Sequence, residues 1–159
     1  HALALNGSGQ QAKVMQDIIK FVHDKGQGTG PKDEVGQVLY TRGAIIQMLS
    51  VEAVRKAQER FGKGKVMTSE QVRWGLENLN LTQERLNELG FGKILRPFKT
   101  SCENHLGADW ARVAQWDGSK FKPVSDWYQA DKSLIDPLVK EYGEKYAKEK
   151  NLPIRSCTP

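Results

Sequence analysis

Cys102 and His105 are the residues whose types and spacing first invite chemistry. In Cys102-Glu103-Asn104-His105 a thiol stands close to an imidazole, the pairing of a thiol nucleophile with a general base. Such a pair works only if the ring reaches the sulfur, a third group orients the ring and donors await the oxyanion. The sequence shows none of these further parts, and a single Cys and His beside a strand end more often serve structure. The same side chains would make a zinc site only with Cys157 and a fourth ligand such as His23. Neither cysteine sits in a CxxC pair, which excludes a zinc knuckle or thioredoxin motif. Two cysteines far apart in sequence permit one disulfide, worth about 4 kcal/mol in the chain-entropy view.

Other patterns carry less. Gly26-x-Gly28-x-Gly30 follows a helix rather than a strand, runs into Pro31 and lacks a following Lys-Ser/Thr, so it reads as a plain loop. Trp74, Trp110, Trp116 and Trp127 could stack sugars or bases. Their basic neighbours Arg73, Arg112, Lys120 and Lys122 are scattered, and alternating Trp is more often core. The sequons Asn6-Gly7-Ser8 and Asn80-Leu81-Thr82 matter only in a eukaryotic secretory protein.

The elements that must position these residues are mostly helical. Val14/Met15, Ile18/Ile19 and Phe21/Val22 recur at helical spacing and predict a helix over 11–25. Ile46, Leu49, Ala53, Ala57 and Phe61 predict a long helix from Gly43, whose first half, to Val51, is apolar all round and expected to be buried on most sides. Its second half turns Glu52, Arg55, Lys56, Glu59 and Arg60 to water. Thr68 with Gln71 forms a capping box, and Thr82 and Gly90 bound a second short helix, so 68–90 reads as a helical hairpin. Ile94–Thr100 suits an edge strand containing Pro97. The Trp110–Trp116 run, the Asp117-Gly118 turn and Phe121–Val124 read as a hairpin, and Val124–Tyr128 as a further strand. Asp136 is expected to cap a final helix with Pro137 in its first position.

The chain has 159 residues, 38% hydrophobic and 27% charged, with 24 basic and 19 acidic side chains for a net charge of +5. Length and apolar content exclude a disordered tail, and no run approaches the roughly 18 apolar residues of a membrane span. The excess base permits an acidic partner. However, Lys140, Glu141, Glu144, Lys145, Lys148, Glu149 and Lys150 alternate in sign as on a solvated helix, which argues against a nucleic-acid module. The start His1-Ala2-Leu3-Ala4 has neither Met nor a signal peptide, and the strands are too few to cover so many apolar helices. Both lead to the expectation that the chain is processed, truncated or cut from something longer.

Several stretches resemble the C-terminal part of the branched-chain amino acid type of ABC transporter substrate-binding protein. They are Gly36-Gln-Val-Leu-Tyr40-Thr-Arg42-Gly43, Val51-Glu52-Ala-Val-Arg55-Lys56-Ala57-Gln58 and Gln71-Val-Arg-Trp74-Gly-Leu-Glu77-Asn78-Leu79. They continue with Thr100-Ser-Cys102-Glu-Asn-His105-Leu-Gly107, Gln115-Trp116-Asp117-Gly118 and Val124-Ser-Asp126-Trp127. Together they span roughly 36–158.

The resemblance implies an α/β protein of the type I periplasmic binding fold. The part present here would be incomplete and α+β in order: mainly helices, a small antiparallel strand set and a C-terminal helix. Residues 1–98 would be the helical part of one ligand-binding lobe, 99–108 a hinge crossing, and 109–159 the strands and final helix of the other lobe. The implied function is ligand capture for an ABC importer in the periplasm, with no catalysis and no cofactor or metal. The ligand would be an amino acid or a small, possibly aromatic, carboxylic acid. Tyr40 and Arg42 would face the cleft, Arg42 meeting a carboxylate as a bidentate fork beside a helix N-terminus. The implied partners are that ligand, a membrane permease and a missing N-terminal part of the same protein, with a homodimer of the fragment possible and no nucleic acid. His105 would be a structural hydrogen-bonder. The resemblance also implies a Cys102–Cys157 disulfide. A thiol hydrolase built on Cys102 and His105 stands as the alternative.

Overall fold

The computed structural model describes residues 11–119 and 121–157. The first apolar repeat forms α1 (Lys13–Phe21), which ends before Lys25; the chain goes on through a 3-10 turn at His23–Lys25 closed by Gly26. Met15 is buried and Ile18 and Ile19 pack beside it.

The long helix α2 (Val38–Phe61) starts five residues earlier than the sequence pattern places it. Tyr40 and Arg42 therefore lie inside the helix rather than before it. The expectation of a first half buried on most sides is wrong: Leu39, Ile46 and Val51 are all well exposed, Ile46 at 59%. The buried residues of α2 fall on two faces, Thr41, Met48 and Glu52 on one and Ala53 and Ala57 well round the helix from them. The spacing of Thr41, Met48 and Glu52 keeps them on one side of a 3.6-residue helix, while Leu39 and Ile46 on the other side are largely exposed.

Small side chains set how α3 (Ser69–Leu76) lies on α2. Thr68 and Gln71 close the capping box at its start. At Gly75 the helices meet so closely that a Cβ would stand 2.0 Å from the Ala53 carbonyl oxygen, so only glycine fits. Strand β1 (Asn80–Leu81) follows, and Thr82 caps α4 (Gln83–Glu88) by accepting from the Arg85 backbone N–H at 3.2 Å. Gly90 then takes a left-handed φ of 80° against Val14, whose backbone N–H donates to the Gly90 carbonyl at 3.2 Å. Met15, Val35, Met48, Leu81, Leu86, Phe91 and Ile94 are the core that these elements share.

The strands are short and pair two by two. β1 pairs antiparallel with β2 (Phe98–Lys99), Leu81 opposite Phe98. The Trp110–Trp116 run is divided: β3 (Trp110–Ala111) pairs with β6 (Tyr128–Gln129), and β4 (Ala114–Trp116) with β5 (Phe121–Pro123) around the Asp117-Gly118 turn. The last helix, α5 (Lys132–Glu149), is capped by Asp131 rather than Asp136. Asp131 accepts from the Ser133 N–H at 2.9 Å, and Pro137 falls inside the helix. A proline there removes one helical hydrogen bond. Every residue of α5 is exposed except Ala147, which is half-buried, and α5 packs extensively against no other element.

Candidate functional site

The structure sets Tyr40 and Arg42 on different faces of α2. Tyr40 is half-buried against the core cluster, while Arg42 is exposed on the far side of the same helical turn. Neither lines the cleft beside α5.

That cleft, about 860 Å³, lies between the 101–109 loop, α5 and the C-terminal segment. Its lining carries His105, Asp109, Lys132 and Arg155 beside the apolar Ile135, Val139 and Ile154. Cys102 and Cys157 are joined across one end, with Cα atoms 5.6 Å apart. The two sulfurs are thereby spent, so Cys102 offers no thiolate nucleophile and the thiol hydrolase alternative falls. The zinc set loses both sulfur ligands for the same reason, and His23 stands in the 3-10 turn after α1.

A carboxylate that sequence inspection did not single out gathers the charges at this end. Glu77, the C-cap of α3, has a side chain only 8% exposed. Arg155 grips both its oxygens, the second contact at 3.0 Å. His105 Nε2 is 3.5 Å from Oε1, an ion pair only when the imidazole is protonated, and Arg73 Nε is at 4.0 Å. The Arg155 hydrogen bonds hold the Glu77 carboxyl below the usual range against burial, which pushes it up, and the charges of Arg155, Arg73 and His105 add to the lowering. Arg73 stands four residues before Glu77, a spacing legible in sequence; Arg155 is 78 positions away, and nothing local announces it. Elsewhere in the cleft lining, Asp109 meets Lys132 at 3.4 Å and accepts from Gln129 at 3.0 Å.

A second buried carboxylate ties the helical part together. Glu52, read from sequence as facing water, has a side chain 3% exposed. It accepts from Arg55 at 2.8 and 3.1 Å and from Arg85 of α4 at 2.7 and 3.1 Å. Burial raises its pKa, but the Arg85 and Arg55 hydrogen bonds and charges outweigh burial and bring it to about 2. Four charge-assisted bonds satisfy both oxygens, which makes this carboxylate a structural clamp.

Two of the tryptophans, Trp74 and Trp127, turn to arginine. Arg60 lies 4.5 Å from the Trp74 ring, which meets Phe61 edge-on, and Trp127 takes Arg112 at 4.6 Å and Arg96 at 5.1 Å. These contacts join elements and leave Trp74 and Trp127 half-buried rather than presented as open stacking platforms.

Comparison with known proteins finds no matching family model and no matching curated protein. One solved structure is similar: "The crystal structure of abc transporter permease from pseudomonas fluorescens group", 36% identical over 94% of this chain with a TM-score of 0.83. The chain spans 36% of that protein's length. This similarity overturns the expectation of a solute-binding component, because the matching protein is described as an ABC transporter permease. The periplasmic location falls with it. So does the partner set in which a captured amino acid or carboxylic acid is handed to a separate permease. Among the described residues, no helix is long and apolar enough to cross a membrane.

Proposed function

We propose that this chain is part of a non-enzymatic component of an ABC transporter, of the kind represented by the similar permease structure. The observation that supports the reading is the 36% identity over 94% of the chain at a TM-score of 0.83. An identity at that level over a matched backbone goes beyond shared architecture. The reading assigns the described residues to a portion of the transporter outside the hydrocarbon layer, where Glu52 and Glu77 anchor arginines of distant elements rather than perform chemistry. Cys102 is held in a disulfide, which fits a transport role better than a hydrolytic one.

The test is to tag the protein at its native locus and isolate membranes under native conditions. The reading expects recovery in the membrane fraction together with an ATP-hydrolysing subunit, in fixed proportion and retained through detergent extraction. Recovery entirely outside the membrane fraction, with no ATP-hydrolysing partner, would overturn it.

A further inference from the structure

Residues 132–157 touch the body of the protein at their two ends and little between. At the start, Asp109 pairs with Lys132 at 3.4 Å, and the Ala130 N–H donates to the Asp109 carbonyl at 3.0 Å. At the finish, two attachments fall within three residues: the fork of Arg155 on buried Glu77, and the disulfide from Cys157 to Cys102. Between them α5 runs along the cleft of about 860 Å³ with its side chains exposed.

We propose that residues 132–157 form a strap over this cleft, fastened by two latches, and that either latch alone keeps the strap docked. This inference does not depend on the transporter reading. The disulfide holds Arg155 beside Glu77 at a high effective concentration, and the ion pair in turn keeps Cys157 beside Cys102. The polar latch is a two-point fork on one carboxylate, and releasing Arg155 leaves Glu77 with the exposed Arg73 and His105 as its charged neighbours. A dithiol reductant opens the covalent latch, passing two electrons and two protons to the cystine to give two thiols and the reductant's own cyclic disulfide. With both latches open α5 is left attached mainly at its start, where Asp109 meets Lys132, and a solvated helix with Pro137 and Gly143 inside it gains little from its own hydrogen bonds.

Trypsin cleavage after Lys148 and Lys150, timed by mass spectrometry, reads the release. Four forms are compared: the oxidised protein, the same protein reduced by a dithiol, oxidised Glu77→Gln and reduced Glu77→Gln. The first three should be cleaved at rates within about 3-fold of one another, and the fourth at least about 10-fold faster, as expected when two redundant contacts are removed together. Cleavage after Arg55 and Lys56 of α2 must stay slow, showing that the body is intact. If Glu77→Gln loosens the body as well, reduced Arg155→Gln replaces it, because that change empties the latch from its exposed side. The proposal is overturned if the reduced unmutated protein is already cleaved as fast as the doubly opened form. It is equally overturned if the doubly opened form, with an intact body, is cleaved no faster than the oxidised protein.

Discussion

Glu52 and Glu77 are both buried carboxylates gripped by arginine, yet the regions around them are built differently. Around Glu52, residues 11–100 close on themselves: α1, α2 and α4 share a core through Met15, Met48 and Leu86, and α3 lies on α2 at a distance only glycine allows. Around Glu77, residues 101–157 remain open, with two-stranded pairs, a cleft and a helix whose Leu134, Leu138, Tyr142 and Tyr146 are all about half or more exposed. In the first region the charged clamp adds to apolar burial. In the second, the clamp and a disulfide stand in for it. The lesson is that the same bidentate contact is one support among many where a core exists and becomes a fastening where none does.

The contrast can be broken first where it should be strongest. Leu86→Ala, in the core, should cost about 3 kcal/mol in urea unfolding; a loss below 1 kcal/mol would mean the helical part is not the stable body. Glu52→Gln should cost about 2 kcal/mol at pH 7, since Arg85 and Arg55 lose a charged acceptor. Because the folded pKa of Glu52 is about 2 against an ordinary 4.5, its contribution is complete above pH 4.5 and is lost as pH falls toward 2. The gap between the native protein and this variant should therefore narrow at pH 3, and an unchanged gap would refute the clamp. Thr41 is buried, and its hydroxyl has no hydrogen-bond partner among the described residues, so Thr41→Val should raise stability by about 1 kcal/mol, seen as a higher Tm. Leu138→Ala on α5 should change global stability by less than about 0.5 kcal/mol, because the side chain is already half in water. A cost near that of Leu86→Ala would erase the distinction between the two regions.

Much of the helical part was legible because its signals are local. The Thr68/Gln71 capping box, the Thr82 cap and Gly90 each act within a few residues, and the structure places them where the pattern does. The start of α2 was not legible, because Val38 to Arg42 lacks the apolar spacing that marks the rest of the helix. Its exposed first half was misread because apolar content reports what wants cover, not what receives it. Glu52 looked like part of a solvated face since its partner Arg85 lies 33 positions on, and Glu77 was passed over for a similar reason. Cys102 and His105 invited a catalytic reading as neighbours in sequence, whereas each has its contact elsewhere, Cys102 with Cys157 and His105 with Glu77. The resemblance to substrate-binding proteins implies a solute-capturing component, whereas the similar solved structure is described as an ABC transporter permease.

Native-state hydrogen exchange resolved by residue tests the contrast between the two regions most directly. Amides of α2 and α4 should exchange at least about 100-fold more slowly than those of α5, because only the former lie in elements that bury a shared core. Protection in α5 equal to that of α2 would contradict the account.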